Sequence, residues 1–89
     1  MDGEQRGRGL AELRDAAADR RQARRHIADL TATHGRGSAE QVAAWEAYRA
    51  VNDRWSALIR QAASAGHTVA DLARAAGCAR ASLYQHLRG

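Results

Sequence analysis

Residues 68–89 read TVADLARAAGCARASLYQHLRG. Thr68 is a helix N-cap type, and Asp71, three residues on, suits both a capping box and the positive end of the helix dipole. Residues 69–76 then form one short helix. Gly77 supplies a turn, and residues 80–87 form a second short helix. Two short helices that cross steeply need a small side chain where they touch, and Ala73 follows Leu72 there. The turn needs a residue that tolerates positive φ, and Gly77 lies four residues further on. Cys78 plugs the core behind the turn. Leu83, Tyr84 and Leu87 give the second helix a stripe to bury. The remaining face holds Arg80, Ala81, Ser82, Gln85, His86 and Arg88, with no acidic residue. This pattern is a helix-turn-helix, and the expected fold is organised around it.

Working outward, Gly66 ends a longer helix and His67 links it to Thr68. That helix spans residues 38–65 and opens with Ser38 and Gln41, an S-x-x-Q capping box. Ala44, Tyr48, Val51, Trp55, Leu58 and Ala62 space as a packed seam, which Val42, Trp45 and Ile59 widen. This is the richest apolar surface in the chain, and a helix core or dimer interface explains it better than a cofactor pocket. The N-terminal half of this hub helix is expected to face the first helix, and its C-terminal half the terminal module. The apolar excess at Trp45, Tyr48, Val51, Trp55, Leu58 and Ile59 is expected to serve as core and dimer surface.

The stretch HGRG (residues 34–37) breaks the chain before that helix. A link so short implies an antiparallel hairpin. Residues 10–33 form its first arm, with Leu13, Ala16, Arg20, Ala23, Ile27 and Leu30 at alternating spacings of three and four. Arg20, Arg21, Arg24 and Arg25 make the densest basic run of the chain. They form either a solvated face, flanked by Asp15, Asp19 and Asp29, or an auxiliary phosphate-binding patch. Residues 1–9, MDGEQRGRG, have little to bury and are expected as a disordered tail. Arg6 and Arg8 in it have the chemistry of a basic arm, though a solvated tail accounts for them as well.

Composition agrees with an all-α fold of one domain: residues 1–9 a tail, 10–65 a helical hairpin, 66–89 the helix-turn-helix. There are 89 residues, no proline and no Phe, and the only aromatics are Trp45, Tyr48, Trp55 and Tyr84. All 14 basic residues are arginine, and the net charge of +4 permits nucleic-acid binding without requiring it. A core this small gains from dimerisation. The single cysteine, Cys78, excludes an internal disulfide. No stretch has the length of a membrane span or the apolar core of a signal peptide. A cytoplasmic, nucleoid-associated protein is expected. His26, His34, His67 and His86 are too dispersed for a metal site. No catalytic constellation, metal or cofactor is expected.

Residues 59–87, IRQAASAGHTVADLARAAGCARASLYQHL, resemble the C-terminal helix-turn-helix of the resolvase/invertase recombinases. That family carries a Gly-x-[ST] entry, an L/I-A-x-x-x-G core and a T-L/V-Y stretch. Here these stand as Gly66, Thr68, Leu72, Ala73, Gly77, Ser82, Leu83 and Tyr84. The pieces LARAAG and SLYQHL also resemble TetR-type repressors. The resemblance covers the last third of the chain and implies roles by position. Thr68 stands at the entry to the motif and joins the DNA-binding set. Ala81 and Ser82 approach bases and backbone. Gln85 stands where relatives place a base-reading arginine, and a glutamine there favours adenine. Tyr84 is a core residue able to donate to phosphate, and Arg80 and Arg88 hold the backbone. Ala79 departs from the usual Ser or Thr, which removes a side-chain cap. Neither family's effector domain is expected here.

The function expected from these readings is sequence-specific binding of double-stranded DNA by a small transcriptional regulator of bacterial type. It would act as a homodimer with helix 80–87 in the major groove. Two alternatives stay open. One is an adaptor or antitoxin-like protein whose hairpin binds a protein partner. The other is a nucleoid or plasmid-maintenance protein with little sequence preference.

Overall fold

The computed structural model describes the backbone of residues 2–88 and the side chains of residues 9–88. Four helices follow one another: α1 (Asp2–His34), α2 (Ala39–Ser64), α3 (Val69–Ala76) and α4 (Arg80–Arg88). The described residues contain no strand. Among them, no helix is long and apolar enough to cross a membrane.

The two long helices pack against each other as an antiparallel hairpin. Near the turn, Gln41 Nε2 donates to Thr31 Oγ1 at 2.7 Å; midway, Arg20 Nε donates to Asn52 Oδ1 at 2.9 Å. The expected seams are the ones in contact. Leu13, Ala16 and Ile27 of α1 and Ala44, Trp55, Leu58 and Ala62 of α2 are buried. Ser38 caps α2, its hydroxyl accepting from the Gln41 N–H at 3.1 Å. The Gln41 side chain turns back to accept from the Gly37 N–H, so one residue fixes both the helix start and the turn before it.

The first arm begins earlier than expected. The stretch 1–9, read as a disordered tail, is helical from Asp2 onward, while Met1 lies outside the described residues. Glu4, Gln5, Arg6 and Arg8 are good helix formers and extend a helix that the packed segment has already nucleated. The side chains of Arg6 and Arg8 lie outside the described ones.

The division of labour on α2 also differs from the expectation. One cluster holds Leu13, Ala16 and Ala17 of α1, Trp55, Leu58, Ile59 and Ala62 of α2, Leu72, Ala75 and Ala76 of α3, and Leu83 of α4. The C-terminal half of α2 therefore meets α1 and both short helices at once. The hairpin is antiparallel, so the early turns of α1 necessarily lie beside the end of α2, where α3 begins. Fully burying a side chain such as Leu13, Ile59, Leu72 or Leu83 contributes about 1.5–3 kcal/mol. Alanines at positions 16, 17, 62, 75 and 76 let the helices approach closely enough to reach that burial.

Candidate nucleic-acid interface

The terminal helix pair starts and turns where the sequence reading placed it. Thr68 is the N-cap of α3, its hydroxyl accepting from the Asp71 N–H at 3.1 Å. Gly77 ends α3 in the left-handed region at φ 68°, ψ 34°, with its N–H on the Ala73 carbonyl. Cys78 packs against the core behind the turn, partly buried, and donates its backbone N–H to the same carbonyl at 3.2 Å. Burial pushes the Cys78 thiol above its ordinary value, against the smaller opposing pull of Arg20. That suits a plug and disfavours the reactive thiolate.

The orientation of α4 sorts its side chains. Leu83 is fully buried and Leu87 packs on the core from the edge. Arg80, Ala81, Ser82, Gln85 and Arg88 are exposed. Two positions exchange roles relative to the sequence reading. Tyr84, expected in the buried stripe, is 49% exposed. His86, expected on the free face, turns inward: its Nδ1 lies 3.0 Å from Ser56 Oγ, and its ring meets the Trp55 ring edge-on at 4.7 Å. Ala81, Tyr84, Gln85 and Arg88 thus share one outward stripe at helical spacing, with Arg80 and Ser82 beside it. The stripe carries no carboxylate. The nearest acid in sequence, Asp71, sits on α3 in a loose 3.6 Å pair with Arg74.

No family model, curated protein or solved structure matches this chain.

The basic run of α1 divides in three dimensions. Arg20, a candidate phosphate contact in the sequence, is half-buried and engaged within the protein. Its guanidinium carbon lies 4.2 Å from the centre of the Trp55 ring and 5.9 Å from that of Tyr48, and its Nε is held by Asn52. An arginine in a packed seam finds an aromatic face and an amide oxygen before it finds solvent. Arg21, Arg24 and Arg25 remain exposed. Arg21 reaches the terminal pair: its Nη1 lies 3.1 Å from where a Cβ on Gly77 would stand. A cation from the first helix therefore sits over the turn that leads into α4. Nothing in the spacing of the sequence marks that contact, because residues 21 and 77 meet only once the hairpin has closed.

The hub aromatics divide too. Trp55, Leu58 and Ile59 are core, Tyr48 and Val51 are half-buried, and Trp45 is 45% exposed beside Val42 at 49%. Trp55 is the junction of all four helices. Its ring stacks under Arg20 of α1, its indole Nε1 donates to Ala76 of α3 at 3.0 Å, and its edge meets His86 of α4. Among the described residues, no three His, Cys, Asp or Glu side chains gather as a metal site would require.

Proposed function

We propose that this protein binds double-stranded DNA through a helix-turn-helix formed by α3 and α4, and that it acts as a small transcriptional regulator. The observation that carries the reading is the outward stripe of α4. Arg80, Ala81, Ser82, Tyr84, Gln85 and Arg88 stand free on a short helix whose opposite side is anchored by Leu83, and no acid stands among them. A helix of this size and polarity fits the major groove, where Gln85 has the paired donor and acceptor that adenine presents. Ala81 is small enough to admit a thymine methyl group. Arg80, Arg88 and the Tyr84 hydroxyl suit phosphates, and Thr68 lies at the start of α3, where a helix-turn-helix meets the backbone. Arg21 extends that phosphate-binding set from α1. One such helix reads only a few base pairs, so two copies, each on a half-site, supply the remaining specificity.

Selection of bound fragments from random duplex DNA tests the proposal. The expected product is a palindrome whose half-sites lie one or more helical turns apart. Gln85→Ala then relaxes the preference at one position of each half-site, at a cost of about 1–3 kcal/mol. Absence of duplex binding at low salt would overturn the reading. A second reading, binding with little sequence preference, draws on the exposed Arg21, Arg24 and Arg25. It is favoured if Gln85→Ala changes nothing while Arg21→Glu with Arg24→Glu abolishes binding.

A further inference from the structure

The outward face of α2 near the hairpin turn is unusual for a solvated helix. Val42, Trp45, Glu46 and Arg49 line one shallow groove at helical spacing. Trp45 and Val42 remain about half exposed, although Ala44 and Trp55 of the same helix are buried. The Tyr48 ring meets the Trp45 ring edge-on at 5.6 Å, which holds the indole in place on the surface. Alanines 39, 43 and 50 flank the groove and are exposed. These alanines leave room for another helix beside the groove.

We propose that this groove receives the same groove of a second copy of the chain, with the two α2 helices antiparallel across a two-fold axis. The inference rests on the two-copy form of the DNA-binding reading and specifies its interface. Charge complementarity favours a second copy of the chain as the occupant. An isologous contact pairs residue i with j and j with i, so a charged stripe is self-complementary only if it carries both signs at matching distances from the axis. Glu46 and Arg49 meet that condition. With the axis passing midway between them, Glu46 faces Arg49 of the partner subunit, and the reverse pair forms by symmetry. The stem of the partner's Arg49 then covers Trp45, where guanidinium and indole attract. Val42 adds apolar area at the end of the groove, where this register sets it opposite the exposed Asp53 of the partner subunit. Two residues of this size bury less than a standard interface, so the dimer is weak and concentration-dependent.

The same register has a consequence for DNA. Ser56, on which α4 rests through His86, lies on the far side of the axis in each copy. At 1.5 Å per residue the two Ser56 residues are displaced by about 26 Å along the helix direction. The ~34 Å that separates successive major grooves on one side of a duplex is the separation the two α4 helices must reach.

Sedimentation velocity without DNA tests the interface over a range of protein concentrations, with helical circular dichroism as the check on folding. The native chain is expected to shift from monomer to dimer as concentration rises. Glu46→Arg alone and Arg49→Glu alone each place like charges together at both symmetric contacts, and each should weaken the dimer about tenfold or more. The double variant Glu46→Arg with Arg49→Glu should restore it, because the swap preserves complementarity only when the partner is the same chain. Trp45→Ala should abolish it. A native chain that stays monomeric at every concentration overturns the proposal. So does a dimer indifferent to the single swaps, or one that the double swap fails to restore, since the groove would then belong to another occupant or another face. The measurement contains no DNA, so a failure of DNA binding leaves its result intact.

Discussion

The indole Nε1 of Trp55 donates to the main-chain carbonyl of Ala76 at 3.0 Å, across 21 residues of chain. Ala76 is the last residue of α3, and its carbonyl is one of those a helix end leaves without an internal partner. The hub helix therefore satisfies the end of α3 and fixes the point from which the chain turns into α4. Trp55→Phe retains most of the ring and removes the donor. The expected loss is about 1–3 kcal/mol in urea denaturation, the cost of leaving a buried acceptor unpaired. Faster amide exchange in α3 and α4 than in the middle of the hairpin should accompany it. A loss under about 0.5 kcal/mol would mean that water takes over the carbonyl and that the bond does not hold the turn.

Gly77 sits at φ 68°, where an L-residue pays for its Cβ. Gly77→Ala should destabilise the protein by about 1–2 kcal/mol. The Arg21 guanidinium near that position adds little, because the end of a flexible side chain can move aside. Gly77→Asn should fall between the two, since asparagine tolerates this conformation better. Melting temperatures in the order Gly, Asn, Ala check the argument. An alanine variant as stable as the native chain would show that the turn does not require the left-handed conformation.

The parts of the fold that the sequence disclosed rest on local chemistry. Thr68, Asp71 and Gly77 set the limits of α3 because a cap and a left-handed turn depend on neighbours along the chain. The hairpin seams were visible because period 3.5 survives small residues such as Ala16 and Ala62. What stayed hidden depends on rotation or on distant partners. On a helix of nine residues, a modest rotation separates a buried Tyr84 from a buried His86. Apolar character favours the tyrosine; the contact with Trp55 and Ser56 decides for the histidine. Arg20 belonged both to the seam and to the basic run, and only the face of Trp55 settles which role it takes. The placing of Arg21 over Gly77 required the tertiary fold. DNA binding itself remains a proposal carried by the exposed stripe of α4.

Arg20 and Arg21 are neighbours with opposite expected phenotypes. Arg20→Ala removes the stacking on Trp55 and the hydrogen bond to Asn52. It should cost about 1–2 kcal/mol of stability. Arg21→Ala should leave stability within about 0.5 kcal/mol, as exposed substitutions do. If the terminal pair binds DNA as proposed, Arg21→Ala should weaken all sequences alike and lower the slope of log affinity against log salt by about 1. Denaturation and salt-dependent binding of the two variants decide the matter. Equal behaviour of both would erase the distinction between a structural and a DNA-facing arginine.

His86 makes the docking of α4 sensitive to pH. Ser56 Oγ accepts from Arg60 Nη1 at 2.9 Å, which leaves its hydroxyl proton for the Nδ1 of a neutral His86. Burial lowers the tendency of His86 to take up a proton, and the positive charges of Arg20 and Arg60 add to the effect. The folded value therefore lies below the ordinary 6.5, so the unfolded chain binds the proton more readily. The contribution of His86 is therefore fully present above pH 6.5 and is lost as pH falls through the lowered folded value. Urea denaturation at pH 8, 7, 6 and 5 should show that decline superimposed on the titration of other groups. His86→Gln keeps a polar side chain that cannot gain charge, and its difference from the native chain isolates the histidine. The difference should shrink or reverse toward pH 5, because only the native chain then has to bury an imidazolium beside two arginines. A difference that stays constant from pH 8 to 5 would show that the ring swings out to solvent at no cost, leaving Leu83 and Leu87 alone to hold α4 on the hub.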